Sequence, residues 1–250
     1  MTLFITMLTV AVLLLNLGVL IAGMRGRSLV VSSLEVAGWC TALALLIANW
    51  VLADSLPFGN MRHVLCFFPL VLGPAAGYMR HVRGVELTSC FAGVAVVAMV
   101  GALCMPMQAT WRQMPALQSP WFVPHVMSYV LAYGLLAVSA VQVLLSYSGR
   151  CDERLRAADE VVRLAFPFLT FGLWSGALWA DAAWARYWAW DIKEVWALIT
   201  WVVYLIYFHL PSQSPVWRRV LLLSGFVAVL ITFFVVNLLP NIVSVHSYAQ

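Results

Sequence analysis

Residues 3–23, LFITMLTVAVLLLNLGVLIAG, run for 21 positions without a charged side chain. A helix needs about 20 mostly apolar residues to cross the hydrocarbon core of a bilayer. In that core a helix pairs its own backbone polar groups, which an irregular chain cannot do. The stretch therefore reads as a membrane-spanning helix. No basic segment precedes it and Arg25 and Arg27 follow it directly, so it is expected to be a retained span and not a cleaved signal peptide.

Seven further apolar runs follow, near residues 34–53, 63–79, 87–105, 125–147, 164–181, 194–210 and 219–239. The expected fold class is all-α: a polytopic membrane bundle of about eight helices, forming one integral membrane domain over residues 1–250. Composition agrees, since 64% of the chain is hydrophobic and 10% charged, with mean hydropathy +0.93. A soluble domain carries roughly 45–50% apolar residues, so a water-soluble fold is excluded. Pro69 and Pro74 in the third run and Pro167 in the sixth predict kinks. The net charge of +4 is spread over short connecting segments and forms no nucleic-acid patch. Cys40, Cys66, Cys90, Cys104 and Cys151 have no C-x-x-C spacing and read as small apolar residues.

Basic residues near short loops stay on the cytoplasmic side. Ten of the fourteen, Arg25, Arg27, Arg80, Arg83, Arg150, Arg154, Arg156, Arg163, Arg218 and Arg219, fall in the odd-numbered loops. Both termini and the even loops are then expected outside. This places His125, the external Trp-rich loop 181–193 between the sixth and seventh runs, and His246 on one outer face. The mixed-charge segment Gly149 to Arg163 reads as a solvated cytoplasmic hairpin.

Seven of the twelve tryptophans, Trp174, Trp179, Trp184, Trp188, Trp190, Trp196 and Trp201, lie within 28 residues. An interfacial belt would distribute them over many helix ends. A loop of indoles with Tyr187 instead makes an apolar platform with polar tips, suited to a large flat ring system. Arg186 and Lys193 beside it are expected either to pair with anionic groups at the rim of such a ligand or to contact headgroups. Asp191 and Glu194 can balance them or cap the seventh helix, and for Asp191 the capping and ligand roles both stay open.

The run from Trp174 to His209, WSGALWADAAWARYWAWDIKEVWALITWVVYLIYFH, resembles the signature of the CcsA/ResC-type cytochrome c assembly proteins. In that family the pattern is W-G-x-Y-W-x-W-D-P-K-E-x-W-A-L-I-T-W, followed by a helix ending Y-x-H. Ala185 stands where the family usually has Gly, and Ile192 where it usually has Pro. The resemblance is strong from about Trp111 onward and weak before it.

Five histidines are candidates for iron ligation: His63, His81, His125, His209 and His246. His125, after ALQSPWFVP, resembles the family's A-L-Q-S-x-W segment and the histidine that opens the next helix. His246, in SVHSY, resembles the family's terminal H-S-Y. The resemblance implies that these two form the axial pair of an outward haem site, and that His209 is a membrane-embedded histidine receiving haem from the cytoplasm. His81, beside Arg80 and Arg83, reads as a loop residue. His63 lies in a segment only loosely like the family's.

The implied activity is transport and presentation of haem b, and its attachment to apocytochrome c carrying C-x-x-C-H. The chain would be one subunit of a holocytochrome c synthase. Implied partners are a CcsB/ResB-like membrane protein and a thiol-reducing thioredoxin-like protein; the implied membrane is the bacterial cytoplasmic membrane, or the thylakoid if the chain is plastidic. Trp184, Arg186, Tyr187, Trp188, Trp190, Asp191 and Lys193 would touch the ring. No Ser/His/Asp set or carboxylate pair for acid/base catalysis is present. Two alternatives stay open: a CcmC-like subunit that presents haem without ligating it, and a transporter for a non-haem substrate.

Overall fold

The computed structural model describes residues 2–26, 28–53, 56–106, 115–211 and 214–235. Eight α-helices follow in chain order: α1 (Thr2–Met24), α2 (Ser28–Ala53), α3 (Met61–His81), α4 (Thr88–Cys104), α5 (Phe122–Leu145), α6 (Cys151–Trp184), α7 (Ile192–His209) and α8 (Pro215–Leu230). A short 3-10 turn, Pro115–Gln118, precedes α5, and a π-helical turn, Ile231–Val235, extends α8. No strand occurs among the described residues. Among the described residues six spans are long and apolar enough to cross a membrane: α1, α2, α5, α6, α7, and α8 taken with its π-helical turn (Pro215–Phe234). At 17 residues α4 is apolar but short, about 26 Å against a core of roughly 30 Å. The third, α3, carries Arg62, His63, Arg80 and His81, so the expected eight spans are eight helices of which six meet both requirements.

The chain divides into two compact units, Met1–Met114 and Pro115–Gln250. In the first, α1 packs on α2 and α4, and α3 packs on α4 and α2. Val19, Ala22, Val31 and Ala92 form a buried cluster there, with Leu20 and Leu34 against it. α3 continues through both of its prolines. Pro74 has no N–H to offer the carbonyl one turn earlier, and the Trp39 indole fills that role by donating to Leu70 O at 3.0 Å. The Arg62 guanidinium is buried and donates to Ala102 O and Met105 O at 2.8 and 3.1 Å. It thereby adds a donor to carbonyls at the end of α4, one of which, Ala102 O, also takes the Met105 N–H at 3.3 Å, and places a cation at the negative end of that helix. Arg80 pairs with Glu35 at 3.0 Å and donates to the Thr88 hydroxyl. Of the cysteines, Cys66 is buried, Cys90 and Cys151 are half-buried, and Cys40 and Cys104 are exposed on their helices.

In the second unit α5 packs along α6, α7 packs on α8, and α8 reaches α5. The sequence reading of Gly149 to Arg163 as a hairpin is corrected: α6 starts at Cys151 and runs 34 residues, about 51 Å, longer than a membrane core. Its early turns carry acids in the first turn, where the helix dipole favours them, and an i,i+4 pair between Asp159 and Arg163. Asp159 also accepts from the Tyr207 hydroxyl at 2.7 Å and pairs with Arg218 at 3.5 Å, which ties α6, α7 and α8 together at one end.

Candidate functional site

The connection between α6 and α7 is short. α6 continues to Trp184 and α7 begins at Ile192, so the loop expected over 181–193 is non-helical only over 185–191. Two of those residues are L-amino acids in the left-handed region, Ala185 (φ 56) and Trp190 (φ 57), where a Cβ costs roughly 1–2 kcal/mol. Ala185 closes α6, its N–H donating to Asp181 O at 2.8 Å. That is where glycine is usual at a helix end. Asp191 is the N-cap of α7, its carboxylate accepting from Lys193 N at 2.9 Å. Glu194 completes a capping box by accepting from Asp191 N at 3.1 Å, and reaches further to Ala189 N at 2.8 Å. Asp191 thus does cap α7. One carboxylate, Glu194, thus grips the backbone on both sides of Trp190.

The aromatic groups divide by burial. Trp188 and Trp190 meet edge to face at 5.9 Å, with Trp190 71% exposed and Trp188 half-buried. The buried indole N–H of Trp188 has no hydrogen-bond partner. Tyr187 is exposed, and Asp181 accepts from its hydroxyl, which raises its pKa above the usual tyrosine value. Arg186 is exposed and Lys193 half-buried. Trp184 is half-buried and leans edge-on against Trp179 at 5.0 Å.

Trp179 is the residue that sequence reasoning missed as a site member. Only 3% exposed, it donates from Nε1 to Ala116 O at 2.7 Å, so it anchors the segment before α5. On the α5 side it meets Phe122 at 5.3 Å and His125, whose ring stacks on it at 5.5 Å and 30°. Contacts therefore run from His125 through Trp179 to Trp184, joining the first turn of α5 to the end of α6. The His125 Nδ1–H donates to Gly172 O at 2.8 Å, since a carbonyl only accepts. In a neutral ring this tautomer leaves the coordinating lone pair on Nε2.

The imidazole comes this close to α6 because residue 176 is glycine: a Cβ there would lie 2.7 Å from both Cε1 and Nδ1 of His125. One turn away, a Cβ on Gly172 would meet the Tyr129 ring at 3.0 Å. His125 and Tyr129, four apart on α5, thus sit over Gly176 and Gly172, four apart on α6. The signal in the sequence was the G-x-x-x-G spacing, which permits close helix approach in membranes.

His209, the other candidate ligand described in this unit, is not gathered here. His209 ends α7, exposed, with Nδ1 donating to Leu205 O of its own helix at 2.8 Å. It lies 17 residues from Ile192, about 26 Å along the axis. His63 is in α3 and His81 is exposed at its end. His246 lies outside the described residues. No cluster of three or more His, Cys, Asp or Glu suited to a bare metal ion occurs among the described residues.

Comparison with known proteins bears on the same chain from another side. Residues 2–244 match the family model described as cytochrome C assembly protein. The cytochrome c biogenesis protein CcsA of Gloeothece citriformis is 30% identical over 89% of this chain and 88% of its own length. Its namesake from Trachelium caeruleum is 24% identical over 82% of this chain and 81% of its own, and that of Chlamydomonas reinhardtii 31% over 57% and 44%. With nearly its full length matched, and with the tryptophan loop and its capping box in place, the chain belongs to the cytochrome c assembly protein family.

Proposed function

We propose that the chain serves cytochrome c biogenesis by holding haem b at the outer face of the membrane and presenting it to apocytochrome c. Trp184, Tyr187, Trp188 and Trp190 supply flat apolar contact for the ring. Arg186 and Lys193 pair with its carboxylates, and Asp191 fixes the loop through its cap on α7. His125 and His246 are the axial iron ligands, with the termini and the α6–α7 loop outside. His209 is the ligand of a separate inner site on the route from the cytoplasm. The observation that carries this reading is the contact chain His125–Trp179–Trp184, which links a histidine, its Nδ1 held by Gly172 O, to the last residue of α6, from which the aromatic loop leaves.

The chain's own contribution is binding, orientation and shielding. Thioether formation between haem vinyl groups and the thiols of C-x-x-C-H requires reduced iron, reduced thiols and alignment. A rigid platform supplies the last of these. The thiols and their reduction come from the apocytochrome and a thioredoxin-like protein, and a CcsB/ResB-like membrane protein completes the synthase. The membrane is the cytoplasmic membrane of a bacterium or the thylakoid.

The test is spectroscopic. His125→Ala and His246→Ala should each convert the bound haem from a two-imidazole to a one-imidazole spectrum and abolish cytochrome c maturation. Added imidazole should restore part of both, and His81→Ala should change neither. Native spectra and full maturation in both outer variants would refute the ligand assignment.

A further inference from the structure

We propose that α6 is the positioning element for the His125 imidazole, with Gly176 and Trp179 acting as positioning residues for iron ligation by that ring. The inference rests on the assignment of His125 as an iron ligand made above.

Three contacts of different kinds hold one ring. Gly172 O takes the Nδ1 proton at 2.8 Å, the Trp179 face lies at 5.5 Å and 30°, and the Tyr129 edge at 4.9 Å and 82°. Trp179 is itself fixed, being buried and bonded through Nε1 to Ala116 O. A hydrogen bond alone would leave the imidazole free to swing about Nδ1, and a stack alone would leave it free to turn in its own plane. Together they fix both the direction of Nε2 and the tautomer. The hydrogen bond also makes the ring a stronger donor to iron, as partners of metal-bound histidines generally do.

Gly176 is the condition for all of this. At 2.7 Å from two ring atoms, an alanine Cβ would force the imidazole off α6 and away from Gly172 O. A Cβ on Gly172 would meet Tyr129 and not His125, whereas the Gly172 carbonyl takes the His125 proton, so adding a methyl group at the two glycines has separable effects although they form one packing motif. His209 makes the same kind of Nδ1 bond, but within its own helix and with its ring exposed.

The experiment uses the full-length chain purified with its haem, and reads the visible spectrum, the reduction potential and haem retention. Gly176→Ala is expected to lose the two-imidazole spectrum in part, to shift the potential, and to hold haem about 10–100-fold less tightly, the usual loss when a partner of a metal-bound histidine is removed. Added imidazole should recover the spectrum. Trp179→Phe keeps an aromatic face but loses the bond to Ala116 O, so it should fall between wild type and Trp179→Leu in spectrum and potential, whereas Trp179→Leu should behave like Gly176→Ala. This pair keeps the proposal testable if Gly176→Ala does not accumulate. A role in helix packing alone would lower the melting temperature while leaving the potential of the remaining haem unchanged. Wild-type spectrum and potential in Gly176→Ala, or equal behaviour of the Phe and Leu variants, would overturn the positioning role while His125→Ala still lost its ligand. If His125→Ala also kept the wild-type spectrum, the ligand assignment would fall and the positioning role with it.

Discussion

Replacing Glu194 by alanine tests whether one carboxylate holds the aromatic loop in its working shape. Glu194 accepts from the amides of Ala189 and Asp191 at 2.8 and 3.1 Å, and between them Trp190 sits at φ 57. Hydrogen bonds to a charged group contribute about 1.5–3 kcal/mol each. Here both end on one oxygen of a half-buried side chain, so a combined loss of about 2–3 kcal/mol is expected. Trp190 then has reason to leave the left-handed region, which costs it roughly 1–2 kcal/mol to occupy. A loss of 2–3 kcal/mol lowers the population of the ordered loop relative to open forms by about 30–150-fold. The assay is haem bound per mole of purified chain, measured beside tryptophan emission and membrane accumulation. Glu194→Ala should lose most of its haem and red-shift its emission while still accumulating, because the helices do not depend on the loop. Glu194→Gln keeps an acceptor without the charge and should fall between. Wild-type haem content with shifted emission would show that the carboxylate orders the loop but that the loop is not the platform. Wild-type values of both would refute the structural argument itself.

Three other expectations can be checked separately. Ala185→Gly should raise the melting temperature in detergent, since relief of the left-handed alanine, about 1–2 kcal/mol, exceeds the entropic cost of glycine, about 0.5–1 kcal/mol. Ile192→Pro should be tolerated, because the first helical position needs no amide donor; a large loss of stability in either variant would count against the local geometry. Arg62→Met should lower the melting temperature by removing two charge-assisted bonds to the end of α4, about 1.5–3 kcal/mol, and an unchanged melt would refute the capping role. Reporter fusions after Arg83, Ser148 or Ser214 should behave as cytoplasmic, and those after Gln113 or at the C-terminus as external; a cytoplasmic C-terminus would remove His246 from the outer site.

Hydropathy found each α-helix among the described residues because uncharged runs are what a bilayer demands, but it measures compatibility with lipid and not helicity. The opening turns of α6 were therefore read as a hairpin: Asp152, Glu153, Arg154, Arg156, Asp159, Glu160 and Arg163 mark solvent exposure, which an exposed helix and a loop share. The i,i+4 pair Asp159–Arg163 was the available sign of helix. In the site, the D-x-x-E spacing of Asp191 and Glu194 made the capping box legible, because capping is a local matter of three residues. The sorting of the tryptophans was not legible. Trp174, Trp179 and Trp190 look alike in sequence, yet they are 55%, 3% and 71% exposed, and only packing decides which is scaffold and which is surface.

The same limit applies to Gly172 and Gly176: their spacing announces a close approach without naming what approaches, and the occupants, Tyr129 and His125, lie more than forty residues away. The departures at Ala185 and Ile192 acquire a physical meaning in the fold. One occupies a left-handed position that glycine adopts without strain, and the other a first helical turn that proline suits. Neither residue supports the loop by its own conformational preference. The burden of shape passes to Glu194 and Asp191, which hold by hydrogen bonding a backbone that a glycine and a proline would hold by restricting it. On that reasoning this chain should be more sensitive to loss of Glu194 than the same chain carrying Ala185→Gly and Ile192→Pro. A double-mutant cycle between Glu194→Ala and that pair should give a coupling energy of about 0.5 kcal/mol or more, and strict additivity would refute the compensation.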